Sequence, residues 1–140
     1  MESNDLSSKK KIIGIVDDHE DTCSLFRKVL SEKFAGYDVL SFIDSVLAVE
    51  HFTKNQSAYA MVIADFRMAD LNGLELLSRI KNANPNVRTI VMSGFDPENQ
   101  IFRDCVELGI IDLTIGKPVT IQELCDRVSS ELEIYQSKNP

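Results

Sequence analysis

Met61-Val62-Ile63-Ala64 is a continuous apolar run that stops abruptly on Asp65. So short a run without polar alternation reads as a strand buried on both faces, the kind that parallel sheets contain. The pattern recurs along the chain. Ile12-Ile13-Gly14-Ile15-Val16 ends on Asp17-Asp18, Arg88-Thr89-Ile90-Val91-Met92 ends on Ser93-Gly94, and Ile110-Ile111-Asp112-Leu113-Thr114-Ile115 ends on Gly116-Lys117-Pro118. Tyr37-Asp38-Val39-Leu40-Ser41-Phe42 alternates instead, as expected of a strand nearer a sheet edge.

Segments of helical spacing separate these runs. Cys23, Phe26, Val29, Leu30 and Phe34 lead to Gly36 as a C-terminal stop, and Asp44 is placed to cap a helix carrying Val46, Leu47, Val49 and Phe52. Leu74, Leu77 and Ile80 mark a helix from near Asn72 to before Pro85. Pro97 is expected to open a helix through Ile101, Cys105 and Leu108 that Gly109 stops. Thr120, with Glu123 three residues on, signals a capping box for a last helix through Leu124, Val128 and Leu132. Five strands alternating with five helices predict an α/β fold of three layers, α/β/α, around a five-stranded parallel sheet. In the doubly wound order 2-1-3-4-5, strands one, three, four and five are neighbours, and ligand sites lie beyond their carboxyl ends.

A chain of 140 residues with 44% hydrophobic content suits one domain. The expected organisation is a disordered tail over residues 1–9, a folded domain over 10–135 and a C-terminal tail over 136–140. Fifteen basic against twenty-two acidic residues give a formal charge of −7, which argues against direct nucleic-acid binding because phosphate contacts need clustered Lys and Arg. The basic cluster Lys9-Lys10-Lys11 reads as a solvated approach to the first strand. No apolar run approaches the roughly 20 residues of a spanning helix, and the polar N-terminus does not resemble a signal peptide, so a cytoplasmic protein without membrane contact is expected. Cys23, Cys105 and Cys125 have no metal-ligand spacing and read as reduced thiols at packing faces.

The predicted sheet brings Asp17, Asp18, Asp65, Ser93 and Lys117 to one mouth. Taken singly they are bland: the acidic pair could cap a helix, Asp65 and Ser93 could shape loops, and Lys117 could be solvated. Together they are chemically pointed. At an effective dielectric near 20, two carboxylates about 4 Å apart repel by roughly 4 kcal/mol, so their pKa values rise or a hard cation stands among them. Mg²⁺, held by one or two carboxylates with waters and phosphate oxygens, fits that set. A lysine and a hydroxyl beside it suit a phosphoryl group, and the matching chemistry is phosphoryl transfer onto Asp65 as nucleophile.

With Asp17-Asp18, the Asp65-x-x-Met68-x-x-x-x-Gly73 segment, Ser93-Gly94 and Lys117-Pro118 in this order, the chain from about Lys10 to Tyr135 resembles the receiver domain of two-component response regulators. The resemblance implies a flavodoxin-like topology and a Mg²⁺ ion held by Asp17, Asp18, Asp65 and the main-chain carbonyl of Arg67. It implies a phosphoryl group accepted by Asp65 from a histidine kinase or a phosphotransfer protein, with Ser93 and Lys117 contacting its oxygens. It also implies a cis peptide before Pro118, and signalling through displacement of Ser93, the fourth strand, the fourth helix and the fifth strand. It implies a downstream protein target, whose identity the sequence leaves open, and a homodimer is compatible with the sequence.

Two positions depart from the family pattern. Ala69 stands where proline is usual, and Thr114 stands at the switch position, usually aromatic, in a Gly109–Lys117 segment one residue longer than the commonest spacing. Arg67, two residues after the phosphoacceptor, is expected either to alter the lifetime of the phosphorylated state or to be a solvated loop residue. His19 lies in the acidic loop and either tunes the site or is a solvated first-turn histidine, whereas His51 reads as a helix residue without a ligand set. The rivals are a receiver fold kept for interaction only, an FMN-binding flavodoxin-like carrier, and a haloacid-type phosphatase. The carrier is opposed by Asp17-Asp18, which would repel a flavin phosphate, and by the lack of Trp. The phosphatase is opposed by Arg67, which holds the place of its second aspartate. Whether the chain is a stand-alone regulator or part of a longer protein is left open by its sequence.

Overall fold

The computed structural model describes residues 10–140. The tail expected over residues 1–9, which includes Lys9, lies outside the described residues. The elements run β1 (Ile12–Val16), α1 (Glu20–Lys33), β2 (Asp38–Phe42), α2 (Ser45–Lys54), β3 (Tyr59–Asp65), α3 (Gly73–Ala83), β4 (Arg88–Ser93), α4 (Gln100–Glu107), β5 (Leu113–Gly116) and α5 (Ile121–Lys138), with a 3₁₀ turn at Gln56–Ala58 before β3. All strands pair in parallel, in the order β2-β1-β3-β4-β5. The three-layer α/β/α fold and its strand order are thus as predicted.

Period-two alternation sends side chains of one strand to opposite faces, and both faces are apolar. Ile13, Ile15, Met61, Ile63, Ile90 and Met92 pack with Phe26, Leu30, Leu124, Val128 and Leu132 of α1 and α5. Ile12, Val16, Val62, Ala64 and Val91 pack on the other face with Phe52, Leu76, Leu77, Ile80 and Phe102 of α2, α3 and α4. Every residue of β1 and β3 is buried, which explains the absence of polar alternation there, whereas edge strand β2 begins exposed at Asp38.

Helix ends follow the expected chemistry in most places. Asp44 Oδ1 accepts from Val46 N and Leu47 N, Asn72 Oδ1 from Glu75 N, and Thr120 Oγ1 from Glu123 N. Gly109 has φ +78°, the left-handed conformation of a helix stop.

Several boundaries differ from the expectation. α1 ends at Lys33 with Phe34 as C-cap, before Gly36. α4 begins at Gln100 rather than at Pro97, because Asn99 supplies the cap through its side-chain oxygen to Ile101 N. β5 begins at Leu113 rather than Ile110: the amides of Ile110 and Ile111 close α4 by bonding Cys105 O, and Asp112 N turns to Thr89 O. α5 continues to Lys138, past the boundary expected at Tyr135. Buried Leu132 and Tyr135 pin its last turns to the core.

At the amino end of β4 the fold carries an ionic hub. Asp112 Oδ2 accepts from Lys81 Nζ at 2.6 Å and Thr89 N at 2.9 Å, and its Oδ1 lies 3.5 Å from Arg88 Nη1. Arg88 also meets Glu131 Oε1 of α5 at 2.8 Å. No helix among the described residues is long and apolar enough to cross a membrane.

At the turn from β3 to α3, backbone passes close to backbone. A Cβ on Gly73 would stand 2.5 Å from Asp65 O and 3.1 Å from Phe66 Cα, atoms that cannot step aside. Gly73→Ala is therefore expected to lower stability by about 1–3 kcal/mol, in the manner of overpacking. Gly36→Ala, with open space and no positive φ, should change it little. Urea denaturation midpoints of the two variants check the contrast.

Candidate functional site

The carboxyl ends of β1, β3, β4 and β5 deliver the polar residues to one mouth. Asp17 follows β1 directly, and its amide still bonds Phe42 O across to β2, which holds the residue in the plane of the sheet. It is fully buried, whereas Asp18 stands at the rim with its side chain about one-third exposed. Neither caps α1. The N-cap is His19, without a side-chain cap bond, and Asp17 Oδ1 accepts from the His19 amide at 2.9 Å. The helix-capping reading of the acidic pair is thereby excluded.

Asp65 closes β3 opposite Met92, and its side chain is 5% exposed. Lys117 Nζ reaches it, 2.5 Å from Oδ1. Lys117 owes that aim to β5: Gly116 pairs with Ser93, and the Lys117 amide donates to Ser93 O at 2.7 Å. The Lys117–Pro118 peptide is cis, as the resemblance implied. Ser93 is buried and its Oγ accepts from Phe95 N at 2.9 Å. The structure thus brings Asp17, Asp18, Asp65, Ser93 and Lys117 together.

Burial pushes the Asp65 carboxyl above its ordinary range; Lys117 pulls it down by hydrogen bond and charge, while Asp17 and Asp18 push it up again. The net rise means that a single lysine does not offset burial plus two neighbouring carboxylates. The donor set suits a divalent cation. Ligand atoms of Asp17, Asp18, His19 and Asp65 all lie within 4.8 Å of one another, and Asp17 Oδ2, buried, has no hydrogen-bond partner. An orphaned buried carboxylate oxygen is costly unless something positive completes it.

Beside these groups opens a cavity of about 400 Å³, lined by Asp65, Ser93 and Lys117 together with His19, Arg67 and Phe95. Arg67 is exposed, as expected of a loop residue, but it stacks on a neighbour that is itself 41% exposed. Its guanidinium carbon lies 4.7 Å from the centroid of Phe95, whose ring packs edge-on to Phe66 at 5.9 Å, and Phe66 in turn packs on buried Phe102 of α4 at 5.2 Å. Such stacking restrains the arginine at the cavity rim. One signal for this is present in the residues themselves: an aromatic, Phe95, two after Ser93 and an arginine, Arg67, two after Asp65.

His19 touches the carboxylates, with Nδ1 3.1 Å from Asp17 Oδ1 and 3.4 Å from Asp18 Oδ1, although its side chain is 72% exposed. His51 is occupied elsewhere, its Nδ1 2.7 Å from the hydroxyl of buried Tyr59. Thr114 lies on β5, and its Oγ1 is buried without a hydrogen-bond partner. Cys23, Cys105 and Cys125 are free thiols, and burial raises the pKa of Cys23 and of Cys105.

A parallel sheet of this order with an acidic mouth and an opposed lysine defines a class, and comparison with known proteins identifies it. Residues 13–129 match the Response regulator receiver domain family, and the chain belongs to that family. It is 28% identical over 122 residues to sporulation initiation phosphotransferase F of Bacillus subtilis, covering 87% of this chain and 94% of that protein. It is 26% identical over 119 residues to the transcriptional regulatory protein ZraR of Klebsiella oxytoca, where the match covers 85% of this chain but 26% of the relative's length. A response regulator receiver domain from Clostridium thermocellum superimposes with a TM-score of 0.77 at 24% identity, covering 90% of this chain and 97% of that one.

The raised Asp65 pKa has a consequence for stability. A carboxyl whose folded pKa exceeds its unfolded value binds more protons folded than unfolded, so it lowers stability as pH rises through the interval between the two values. With divalent metal chelated, Asp65→Asn is expected to be more stable than the parent protein at pH 7. That advantage should shrink as pH falls through the interval above the ordinary aspartate value of 3.8. Thermal or urea unfolding of both proteins across pH 4–7, in roughly constant salt, reads the difference.

Proposed function

We propose that this receiver domain accepts a phosphoryl group on Asp65 from a phosphohistidine of a histidine kinase or phosphotransfer protein, and that phosphorylation alters its contacts with a downstream protein. The observation that carries this reading is the buried Asp65 carboxylate held against Lys117, beside the orphaned Asp17 oxygen. A carboxylate oxygen of Asp65 attacks phosphorus, the P–N bond to the donor imidazole breaks, and that imidazole leaves with the bonding electron pair, to be protonated by solvent. Lys117 stabilises charge on the phosphoryl oxygens, and the Ser93 hydroxyl exchanges its bond from Phe95 N for one to a phosphoryl oxygen.

Asp17, Asp18, Asp65 and the main-chain carbonyl of Arg67 would hold Mg²⁺, which when bound neutralises charge shared between the carboxylates and the phosphoryl oxygens. The name of the Bacillus relative, a phosphotransferase, agrees with this chemistry. The reading places the protein in the cytoplasm, as a signalling domain that catalyses its own phosphorylation and dephosphorylation rather than as an enzyme acting on a separate substrate. It includes no direct contact with nucleic acid or membrane, and a homodimer is one form its protein contacts can take.

Intact mass after incubation with acetyl phosphate and Mg²⁺ tests the proposal. A gain of one phosphoryl group, abolished in Asp65→Ala and in Asp17→Asn, is expected. No gain with that donor or with a phosphorylated kinase would leave the fold as an interaction module alone.

Arg67, stacked on Phe95 at the rim, narrows the path by which water reaches a phosphoryl group on Asp65. Arg67→Asn is expected to shorten the lifetime of phosphorylated protein several-fold, as followed by loss of the added mass with time; an unchanged lifetime would remove Arg67 from the mechanism.

A further inference from the structure

Among the described residues, one imidazole faces the same centre as the carboxylates, beside the Lys117 ammonium. His19 occupies the N-cap position of α1 in extended backbone conformation, φ −88° and ψ 105°, and its ring makes no capping bond. The imidazole is therefore free of a role in the helix. It turns inward, toward the negative mouth: Nδ1 lies 3.1 Å from Asp17 Oδ1 and 3.4 Å from Asp18 Oδ1. One of its nitrogens also shares the 4.8 Å cluster with a carboxylate oxygen of Asp65. The side chain is 72% exposed, so it can rotate about its bonds without repacking the core. Against it stands Asp17, fully buried, with Oδ2 lacking any donor.

We propose that His19 is an imidazole ligand of this metal site and gives it a preference for borderline first-row dications such as Co²⁺ and Ni²⁺ over Mg²⁺. The proposal rests on the reading that Asp17, Asp18 and Asp65 hold a divalent cation. Mg²⁺ takes oxygen donors in near-octahedral array and gains little from an imidazole, whereas Co²⁺, Ni²⁺ and Zn²⁺ bind imidazole well. A site of three carboxylates alone discriminates between these ions weakly. The same site with one neutral nitrogen added in place of a water discriminates through that nitrogen.

His19 has a second physical role open to it: a ring N–H donating to Asp17 and Asp18 would hold those carboxylates in place, as outer-shell partners do. That role would favour every cation alike. The ratio of affinities therefore separates ligation from positioning, where a single affinity would not.

The experiment is isothermal titration of the full chain, freed of metal and kept reduced with a phosphine that binds these ions weakly, with MgCl₂, CoCl₂ and NiCl₂ in turn. His19→Gln keeps a polar side chain able to donate a hydrogen bond but removes the imidazole. Its affinity for Co²⁺ and Ni²⁺ is expected to fall by about 10-fold or more while that for Mg²⁺ stays near the parent value. Because the sequence contains two histidines, His51→Gln subtracts any binding at the other ring and is expected to leave the ratio unchanged.

In parallel, bound Co²⁺ should broaden and shift the ring protons of His19 and spare those of His51, a readout that a purely structural role would not produce. Equal losses for all three ions in His19→Gln, or ring signals of His19 unmoved by Co²⁺, would overturn the proposal while leaving the metal reading intact. Failure of the parent protein to bind any of the ions, or retention of Mg²⁺ binding by Asp17→Asn, would instead overturn the carboxylate site and the proposal with it.

Discussion

The contact between Lys117 Nζ and Asp65 Oδ1 is the interaction on which the mouth of this sheet depends. Without a cation at that point, Asp65 would sit buried beside Asp17 and Asp18 with nothing positive to offset desolvation and like-charge repulsion. The lysine reaches the carboxylate only because β5 is in register with β4, Gly116 opposite Ser93, and because the Lys117 amide bonds Ser93 O. A one-residue slip of β5 would turn its side chains to the other face and remove the lysine from the site. Sheet register and site electrostatics are therefore one constraint viewed at two scales. Even so the balance is incomplete, since burial and the two other carboxylates keep the Asp65 pKa raised against the pull of Lys117. The charge deficit is local to the mouth and gives a physical reason for a divalent ion there.

Much of this was legible in the residues because it rests on short-range rules. β3 is buried at all seven positions, so its apolar run needs no partner to be recognised, and the polar residue that ends each run marks where the strand leaves the sheet. Asn72, Asp44 and Thr120 could be recognised as caps since capping is a bond within one turn. What was missed depends on contacts between distant segments. β5 starts later than its apolar run suggests because Asp112, within that run, is drawn aside by Lys81, Thr89 and Arg88. The inward turn of His19 and the stacking of Arg67 on Phe95 are side-chain choices that no periodicity encodes. α4 began three residues late because Asn99 outcompeted Pro97 as the starting residue.

The two departures from the family pattern now have different weights. Ala69 removes a stiffening ring from the loop after Asp65, yet that loop is restrained by other means, through Phe66 packed on Phe102 and Arg67 packed on Phe95. Thr114 has no such compensation. Its hydroxyl is buried on β5 without a partner, and it faces an open groove between α4 and α5 bounded by Arg103, Glu107 and Arg127. An aromatic side chain there would fill space that threonine leaves empty.

The ionic hub lies at the opposite end of β4 from the acidic mouth. Arg88 and Thr89 at the foot of the strand are tied by charged bonds to Asp112 before β5 and, through Arg88, to Glu131 of α5, whereas Ser93 at its tip is held by neutral hydrogen bonds alone. Charged, largely buried bonds resist displacement more than neutral ones. β4 is thus anchored unevenly, with its charged ties gathered at the root and only neutral bonds at the tip that borders the acidic mouth.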